Sequence, residues 1–185
     1  MSATARRGDW TQTFTGRQFW PLDPRAEDID PVDVAHALSL QCRYNGMVRT
    51  FYSVAEHCVL MSLAVSPEHA LHALLHDATE AYVGDMVRPL KNHQPDFRAA
   101  EDLVWAAVAA RFDVDPTIPG EVHDADARIV LDERAALLSA SPAPWAIDHL
   151  EPLGVRIQGW TPPQAENAYH ARLVQLLAAD KDGTR

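Results

Sequence analysis

Helix-start signals recur along this chain, and the apolar residues between them follow helical spacing. Asp30 followed by Pro31 places an N-cap before a proline in the first helical position, and Thr161 followed by Pro162 repeats the pattern. Ser53 and Glu56 have the spacing of a capping box. We find no convincing run of alternating apolar and polar residues that would indicate a β-strand. The sequence therefore predicts an all-α fold, a helical bundle of about six helices.

The signals divide the chain into an N-terminal arm and a helical core. Residues 1–29 mix Thr, Gly, Pro and aromatic residues without helical periodicity, which predicts an irregular but ordered arm. The core, residues 30–180, has an irregular link from about residue 140 to residue 160. No change in composition divides the 185 residues, so a single domain over 1–185 is predicted. The predicted helices cover residues 30–42, 53–66, 67–84, 96–112, 120–139 and 161–179.

The overall charge limits the classes of partner. A net charge of −10 would repel the backbone of duplex nucleic acid over most of the surface. A small phosphorylated substrate is still compatible with this charge, because a metal ion or a few cations can reverse the field within one pocket. No apolar stretch approaches the length of a membrane span, and the first residues do not have the pattern of a secretory signal. We therefore expect a cytoplasmic protein with no membrane partner.

An adjacent histidine and aspartate near the end of an apolar helix is the most informative polar feature. His76 and Asp77 follow two leucines, and Glu80 and Asp85 come soon after. On a continuous helix, His76, Asp77 and Glu80 can face the same side. Such a cluster of acids without a cation would repel itself and raise the pKa of at least one carboxyl group. Either a metal ion binds here or one acid is kept protonated for catalysis.

Four segments, in this order, resemble the successive motifs of the HD-domain phosphohydrolases. They are Tyr52–His57, Leu75–Glu80, Val83–Lys91 and His123–Asp126. The closest branches are the bacterial 5'-deoxynucleotidases and the small viral dATP triphosphohydrolases, and the resemblance extends over roughly residues 16–138.

The resemblance implies that His57, His76, Asp77 and Asp126 bind one divalent metal ion. Imidazole and carboxylate ligands suit cobalt, manganese, zinc or iron, whereas Mg²⁺ would fit a second site that is linked to the substrate. Asp124 is the alternative to Asp126, although it lies on a different face of the predicted helix.

Two further acids match the family's catalytic positions. The resemblance implies that Glu80 positions or deprotonates the attacking water. It implies that Asp85 either helps the leaving sugar oxygen as a general acid or holds the sugar. In the structural alternative, Glu80 orients a histidine ligand instead.

Candidate substrate-binding residues lie in the arm and after the third predicted helix. Arg17 resembles the family's N-terminal arginine before an aromatic-proline pair, here Trp20 and Pro21, although two residues are inserted between them. Lys91 matches a family lysine, and Arg88 is nearby; both suit phosphate, although Arg88 would equally suit an exposed position. Trp20 either stacks on a nucleobase or packs within the protein. If it stacks, base selectivity would lie with the arm and the loop 43–46.

The resemblance implies hydrolysis of the 5'-phosphate ester of a deoxynucleotide, which yields a deoxynucleoside and phosphate. Release of triphosphate from a deoxynucleoside triphosphate such as dATP is the alternative within the same class. A cyclic-nucleotide phosphodiesterase and a non-catalytic nucleotide sensor are the alternatives outside it. Relatives of this type commonly self-associate, so the resemblance also implies a homo-oligomer, a dimer or higher.

Overall fold

α-Helices dominate the computed structural model, which describes residues 5–181. This confirms the predicted all-α class. Residues 1–4 lie outside the described residues. They belong to the N-terminal stretch for which the sequence predicted no secretory signal. Within the described range the helices are α1 (Pro31–Leu40), α2 (Val54–Ala64), α3 (Ala70–Leu75), α4 (Glu80–Val83), α5 (Arg88–Lys91), α6 (Pro95–Phe112), α7 (Gly120–Leu137) and α8 (Pro162–Lys181).

The predicted start signals lie where helices begin, with one difference. The Asp30 carboxylate accepts the N–H of Val32 at 2.9 Å, and the Ser53 hydroxyl accepts the N–H of Glu56 at 3.1 Å. The Glu56 carboxylate, which a capping box would direct back toward Ser53, instead accepts the backbone N–H groups of residues 158–160 at 2.7–2.9 Å. The capping-box prediction is therefore correct only for Ser53, because Glu56 fastens the distant irregular link to the start of α2.

The helix predicted over residues 67–84 is not continuous. A 3-10 turn at Pro67–His69 leads into α3, and α4 begins only at Glu80. In the turn between them, the N–H of Ala78 donates to the carbonyl of Leu75 at 2.8 Å, and that of Glu80 donates to Asp77 at 3.0 Å. These three-residue spacings wind the chain more tightly than an α-helix does. The prediction of one uninterrupted helix is therefore wrong at the residues that carry the His-Asp pair.

Two segments contain more structure than the sequence predicted. In the arm, β1 (Thr11–Gln12) pairs antiparallel with β2 (Gln18–Phe19), and the predicted loop 84–95 contains α5. The link before α8 is irregular as predicted, since the structure assigns no helix or strand between Leu138 and Thr161.

Two clusters of buried apolar side chains meet along α2. The larger cluster lies among α1, α2, α3, α6 and α8, with Leu38 and Leu74 at 0% exposure. The smaller cluster joins α2 to α7 through Met61 and Ile129, and Val155 of the irregular link packs against it. Polar residues on α2 are consequently held within rigid surroundings. Among residues 5–181, no helix combines the length and the apolarity needed to cross a bilayer.

Candidate metal centre and its cleft

Three separate parts of the fold bring the four predicted metal ligands together. His57 comes from α2, His76 and Asp77 from the turn after α3, and Asp126 from α7. His57 Nε2 lies 3.3 Å from His76 Nε2 and 3.5 Å from Asp126 Oδ1. Asp77 Oδ2 lies 3.2 Å from His76 Nε2 and 3.6 Å from His57 Nε2. Asp126 and His57, which are 69 positions apart in the sequence, thus lie within reach of one another.

Hydrogen bonds at the other ring nitrogens fix how both imidazoles are oriented. His57 Nδ1 donates to the Glu133 carboxylate at 2.7 Å, and His76 Nδ1 donates to the carbonyl of Ala73 at 2.9 Å. Carboxylate and carbonyl oxygens only accept, so each Nδ1 carries a hydrogen, and Nε2 is the atom of each ring that can bind a metal ion. Metal-binding histidines characteristically donate their second nitrogen in this way.

The ligand atoms therefore fit a divalent cation. The two Nε2 atoms and the two carboxylates, 3.2–3.6 Å apart, need a positive charge between them, which a proton or a metal ion can provide. A transition metal accepts nitrogen and oxygen ligands of this type. His57, His76 and Asp126 form one group of potential ligands, and Cys58, His76 and Asp77 form a second, overlapping group. Asp124, the alternative ligand, pairs instead with Arg128 at 3.1 Å.

The charge states of the cluster reflect this crowding. Burial alone would raise the pKa values of Asp77 and Asp126, but the neighbouring imidazoles outweigh it and hold both pKa values well below the ordinary range. Burial alone would lower the pKa of His76, whereas Asp77 and the Cys58 thiol raise it well above the ordinary value. The cluster therefore favours positive charge at its centre, as a metal site requires.

Sequence reasoning missed a buried network behind His57. Glu133 accepts from His57 and from the hydroxyl of Tyr44 at 2.5 Å. Arg43 lies 3.3 Å from both Glu133 and Asp77. Glu133 follows Asp126 by two helical turns, so the shared helix face was a signal that could have identified it. Arg43 and Tyr44 lie in the predicted loop 43–46, where Tyr44 has a left-handed φ of 57°.

The two predicted catalytic acids lie beside the cluster. Glu80 is 6% exposed, and within the described residues its Oε2 has no hydrogen-bond partner. Burial, together with the charges of Asp77 and Asp85, raises the pKa of Glu80 well above its ordinary value. Burial also raises the pKa of Asp85. Both carboxyl groups are thus inclined to hold a proton, a property of groups that transfer protons.

These acids open onto a cleft of about 670 Å³, a size typical of small-molecule sites. Two predicted phosphate-binding residues line it: Arg88 pairs with Asp126 at 3.0 Å, and Lys91 pairs with Glu101 at 2.6 Å. The lining consists of Arg43, Tyr44, Asp77, Glu80, Asp85, Met86, Val87, Arg88, Pro89, Lys91, Asp126, Ala127, Val130, Trp145, Ala146 and Ile147.

The other two predicted substrate-binding residues lie elsewhere. Arg17 pairs with Asp30 at 2.9 Å at the start of α1, and the guanidinium of Arg6 lies 4.4 Å from the ring centroid of Trp20. Neither Arg17 nor Trp20 is among the described residues that line the cleft. The structure thus does not bring these two residues to the cleft, and their role in substrate binding stays a prediction. The aromatic side chains of the cleft are instead those of Tyr44 and Trp145.

Two bacterial proteins are similar to this chain over most of its length, although no protein-family model matches it. The uncharacterized protein YfdR of Escherichia coli is 39% identical over 126 residues, which cover 68% of this chain and 71% of YfdR. The uncharacterized protein RCAP_rcc00048 of Rhodobacter capsulatus is 31% identical over an alignment of 188 positions, gaps included. The alignment covers 91% of this chain and 95% of the relative. The chain therefore belongs to the same family as YfdR and RCAP_rcc00048.

Proposed function

We propose that this protein is a metal-dependent phosphohydrolase of the HD type that cleaves the 5'-phosphate ester of a deoxynucleotide. The observation that carries the proposal is the convergence of the two imidazole Nε2 atoms, 3.3 Å apart, with two carboxylates beside a cleft. Both Nδ1 hydrogens are already bound elsewhere, so the two Nε2 atoms are the ones that can bind a cation.

His57, His76, Asp77 and Asp126 would hold the ion, and cobalt, manganese, zinc and iron suit this mixture of ligands. Such an ion supplies a more acidic water molecule and a polarised phosphoryl group. Arg43 contributes a fixed positive charge from the protein itself, since its guanidinium lies 3.3 Å from Asp77.

The protein's own acids account for the proton transfers. Glu80 would accept a proton as the water oxygen attacks phosphorus. A cation bound at Asp77 would offset the repulsion that holds a proton on Glu80, and the unpartnered Oε2 would then be free to accept one. Asp85, with its raised pKa, donates a proton to the sugar 5'-oxygen as the bond between phosphorus and that oxygen breaks. The products are phosphate and a neutral deoxynucleoside.

The cations at the rim provide phosphate binding. Arg88 is 68% exposed and pairs with Asp126 across the cleft, so an incoming phosphate can exchange with this partner. Lys91 adds a second positive charge. The presence of Arg43, Arg88 and Lys91 in one cleft also favours a second candidate activity, release of triphosphate from a deoxynucleoside triphosphate such as dATP.

Hydrolysis assays with dAMP and dATP in the presence of cobalt or manganese test the proposal. Separation of phosphate from triphosphate among the products distinguishes the two activities. Asp77→Ala should abolish metal content and turnover together, whereas Asp124→Ala, which alters an exposed acid paired with Arg128, should preserve both. Turnover by Asp77→Ala protein that contains no metal would overturn the mechanism.

A further inference from the structure

The lining of the cleft includes a set of apolar side chains, called here the apolar wall. They come from α5 and the segment that leads into it, from α7 and from the irregular link. None of its side chains carries a charge, and the indole is the largest ring among them. The residues of this apolar wall are Met86, Val87, Pro89, Val130, Trp145 and Ile147.

Trp145 is held in place by polar contacts on its outer side. Its backbone N–H donates to the Asp148 carboxylate at 2.9 Å, and Asp148 pairs with Arg134 of α7 at 2.5 Å. The guanidinium of Arg134 also lies 5.0 Å from the centroid of the indole. Arg134 and Asp148 line a separate hollow, whereas Trp145 lines the cleft, so the indole stands between the two. An aromatic ring fixed in this way provides a preorganised binding surface.

We propose that Trp145 is the residue against which the nucleobase of the substrate stacks, an inference that rests on the proposed function. A nucleotide combines an anionic phosphate with a flat, uncharged base, and the lining of the cleft offers partners for both. Arg88 and Lys91 line it beside two of the proposed metal ligands, Asp77 and Asp126, and the apolar wall lines the same cleft. The indole of Trp20 lies beside Arg6 and is not among the described residues that line the cleft.

The chemistry of the apolar wall also determines how selective binding is. Its side chains offer only the indole N–H for hydrogen bonding, so they discriminate poorly among the polar edges of bases. Stacking tolerates every base, because each has a π-face. The substrate class is therefore deoxynucleotides with any base, distinguished from sugar phosphates that have no base.

Kinetics with matched substrates test this inference. In Trp145→Ala, kcat/KM for dAMP and dCMP should decrease about 5- to 150-fold, the range expected for loss of one stacking contact. The value for deoxyribose 5-phosphate should remain unchanged, and Trp145→Phe should restore most of the activity on nucleotides. Trp10→Ala, which alters an exposed tryptophan in the arm, is the matched control.

Two outcomes would overturn the role of Trp145. One is an equal loss on nucleotides and on deoxyribose 5-phosphate, which would indicate a general structural effect. The other is a loss specific to nucleotides in Trp20→Ala but not in Trp145→Ala, which would return the role to the arm.

Equilibrium dialysis of labelled dAMP with manganese-loaded protein separates this inference from the proposed function. If the wild-type protein binds dAMP without hydrolysing it, the hydrolase proposal fails, while weaker binding to Trp145→Ala still supports stacking. If the wild-type protein does not bind dAMP, the stacking proposal is overturned as well.

Discussion

Glu133 is a buried residue that determines which ring nitrogen of His57 carries the hydrogen. Its side chain is fully buried, and it accepts hydrogen bonds from His57 and Tyr44. Burial alone would raise its pKa, but Arg43 and His57 outweigh that effect and lower the pKa of Glu133 to about 2. The carboxylate is therefore ionised at neutral pH, and it keeps the hydrogen of His57 on Nδ1.

Replacement of this carboxylate should weaken metal binding. Glu133→Gln preserves the size of the side chain but removes the charge that makes His57 a better ligand, so metal affinity should decrease about 10- to 100-fold. Titration with manganese, followed by measurement of bound metal, gives the affinity. Glu121→Gln, on the same helix but paired with His69 at the surface, should leave the affinity unchanged. Unaltered affinity in Glu133→Gln would contradict the proposed role.

Glu80 should make the metal-free protein less stable as the pH rises. Its folded-state pKa is raised by burial and by Asp77 and Asp85. Between the ordinary glutamate pKa and this higher value, the folded state retains a proton that the unfolded state releases, so the free energy of unfolding decreases with rising pH. Glu80→Gln, which cannot ionise, removes this decrease in the free energy of unfolding. It should raise Tm by about 2–4 °C for each 1 kcal/mol recovered, and it should abolish hydrolysis.

Thermal unfolding of chelated protein between about pH 5 and pH 8 measures this effect. The difference in Tm between Glu80→Gln and the wild type should increase with pH. Glu121→Gln provides a control whose Tm difference from the wild type should stay nearly constant over this range. Hydrogen bonds from Ser66 and His69 lower the pKa of Glu121 to about 2, so this carboxyl group is ionised in both the folded and the unfolded state above about pH 5. If Tm changed with pH in the same way in Glu80→Gln and in the wild type, the pKa of Glu80 would not be raised in the folded state.

The candidate site was predictable to the extent that its residues belong to local motifs. The four proposed ligands lie in short segments with recognisable spacing, and the fold brings them together. Trp145 was not predictable, because it lies in a segment without periodicity, and only the tertiary structure places it beside α7. The assignment of Trp20 and Arg17 to the substrate stays a prediction, and a local pattern does not reveal that Arg6 and Asp30 are their partners in the structure.

At the scale of elements, the turn between α3 and α4 depends on tertiary surroundings. The apolar periodicity of residues 70–78 correctly predicted which face is buried, since Leu71, Leu74 and Ala78 are fully or almost fully buried. Periodicity does not report whether hydrogen bonds span four residues or three. The change to three-residue spacing occurs at Leu75–Glu80, where polar side chains turn toward α2 and α7. Such local departures from regular helix are frequent at functional sites.

Glu56 joins two elements that are far apart in the sequence. Its Oε1 accepts from Gln158 and Gly159, and its Oε2 accepts from Trp160. In Glu56→Gln, an amide would face one of these N–H groups and leave a donor without an acceptor. The cost should be about 1–3 kcal/mol, with faster hydrogen exchange at residues 158–160.

Ser53→Ala is the matched comparison for this element. It removes the helix cap of α2 and should cost about 1 kcal/mol without altering exchange at residues 158–160. Denaturant unfolding and amide exchange distinguish the two variants. Equal exchange at residues 158–160 in Glu56→Gln and the wild type would show that Glu56 does not hold the link.

At the scale of the whole molecule, the helices surround one charged cluster contributed by distant segments. The chain carries a net charge of −10, and two of the carboxylates are concentrated where α2, the turn after α3 and α7 meet. The sequence predicted most of the helices because their caps and periodicity are local. It did not predict α5 or the arm hairpin, whose four-residue and two-residue lengths are too short for a periodic signal.

An ion at this junction should therefore stabilise the entire fold. Binding to the folded state alone contributes about 2.7 kcal/mol when the free metal concentration is 100 times Kd. This corresponds to an increase in Tm of roughly 5–11 °C for a domain of this size. Asp126→Asn should lose most of this increase, because Asp126 joins α7 to His57. Asp124→Asn, two residues away on the same helix, should keep it.

Thermal scans at several manganese concentrations would measure both variants. Equal metal-dependent shifts in the two would mean that α7 does not take part in binding, because the ion would then be held by α2 and the turn after α3 alone.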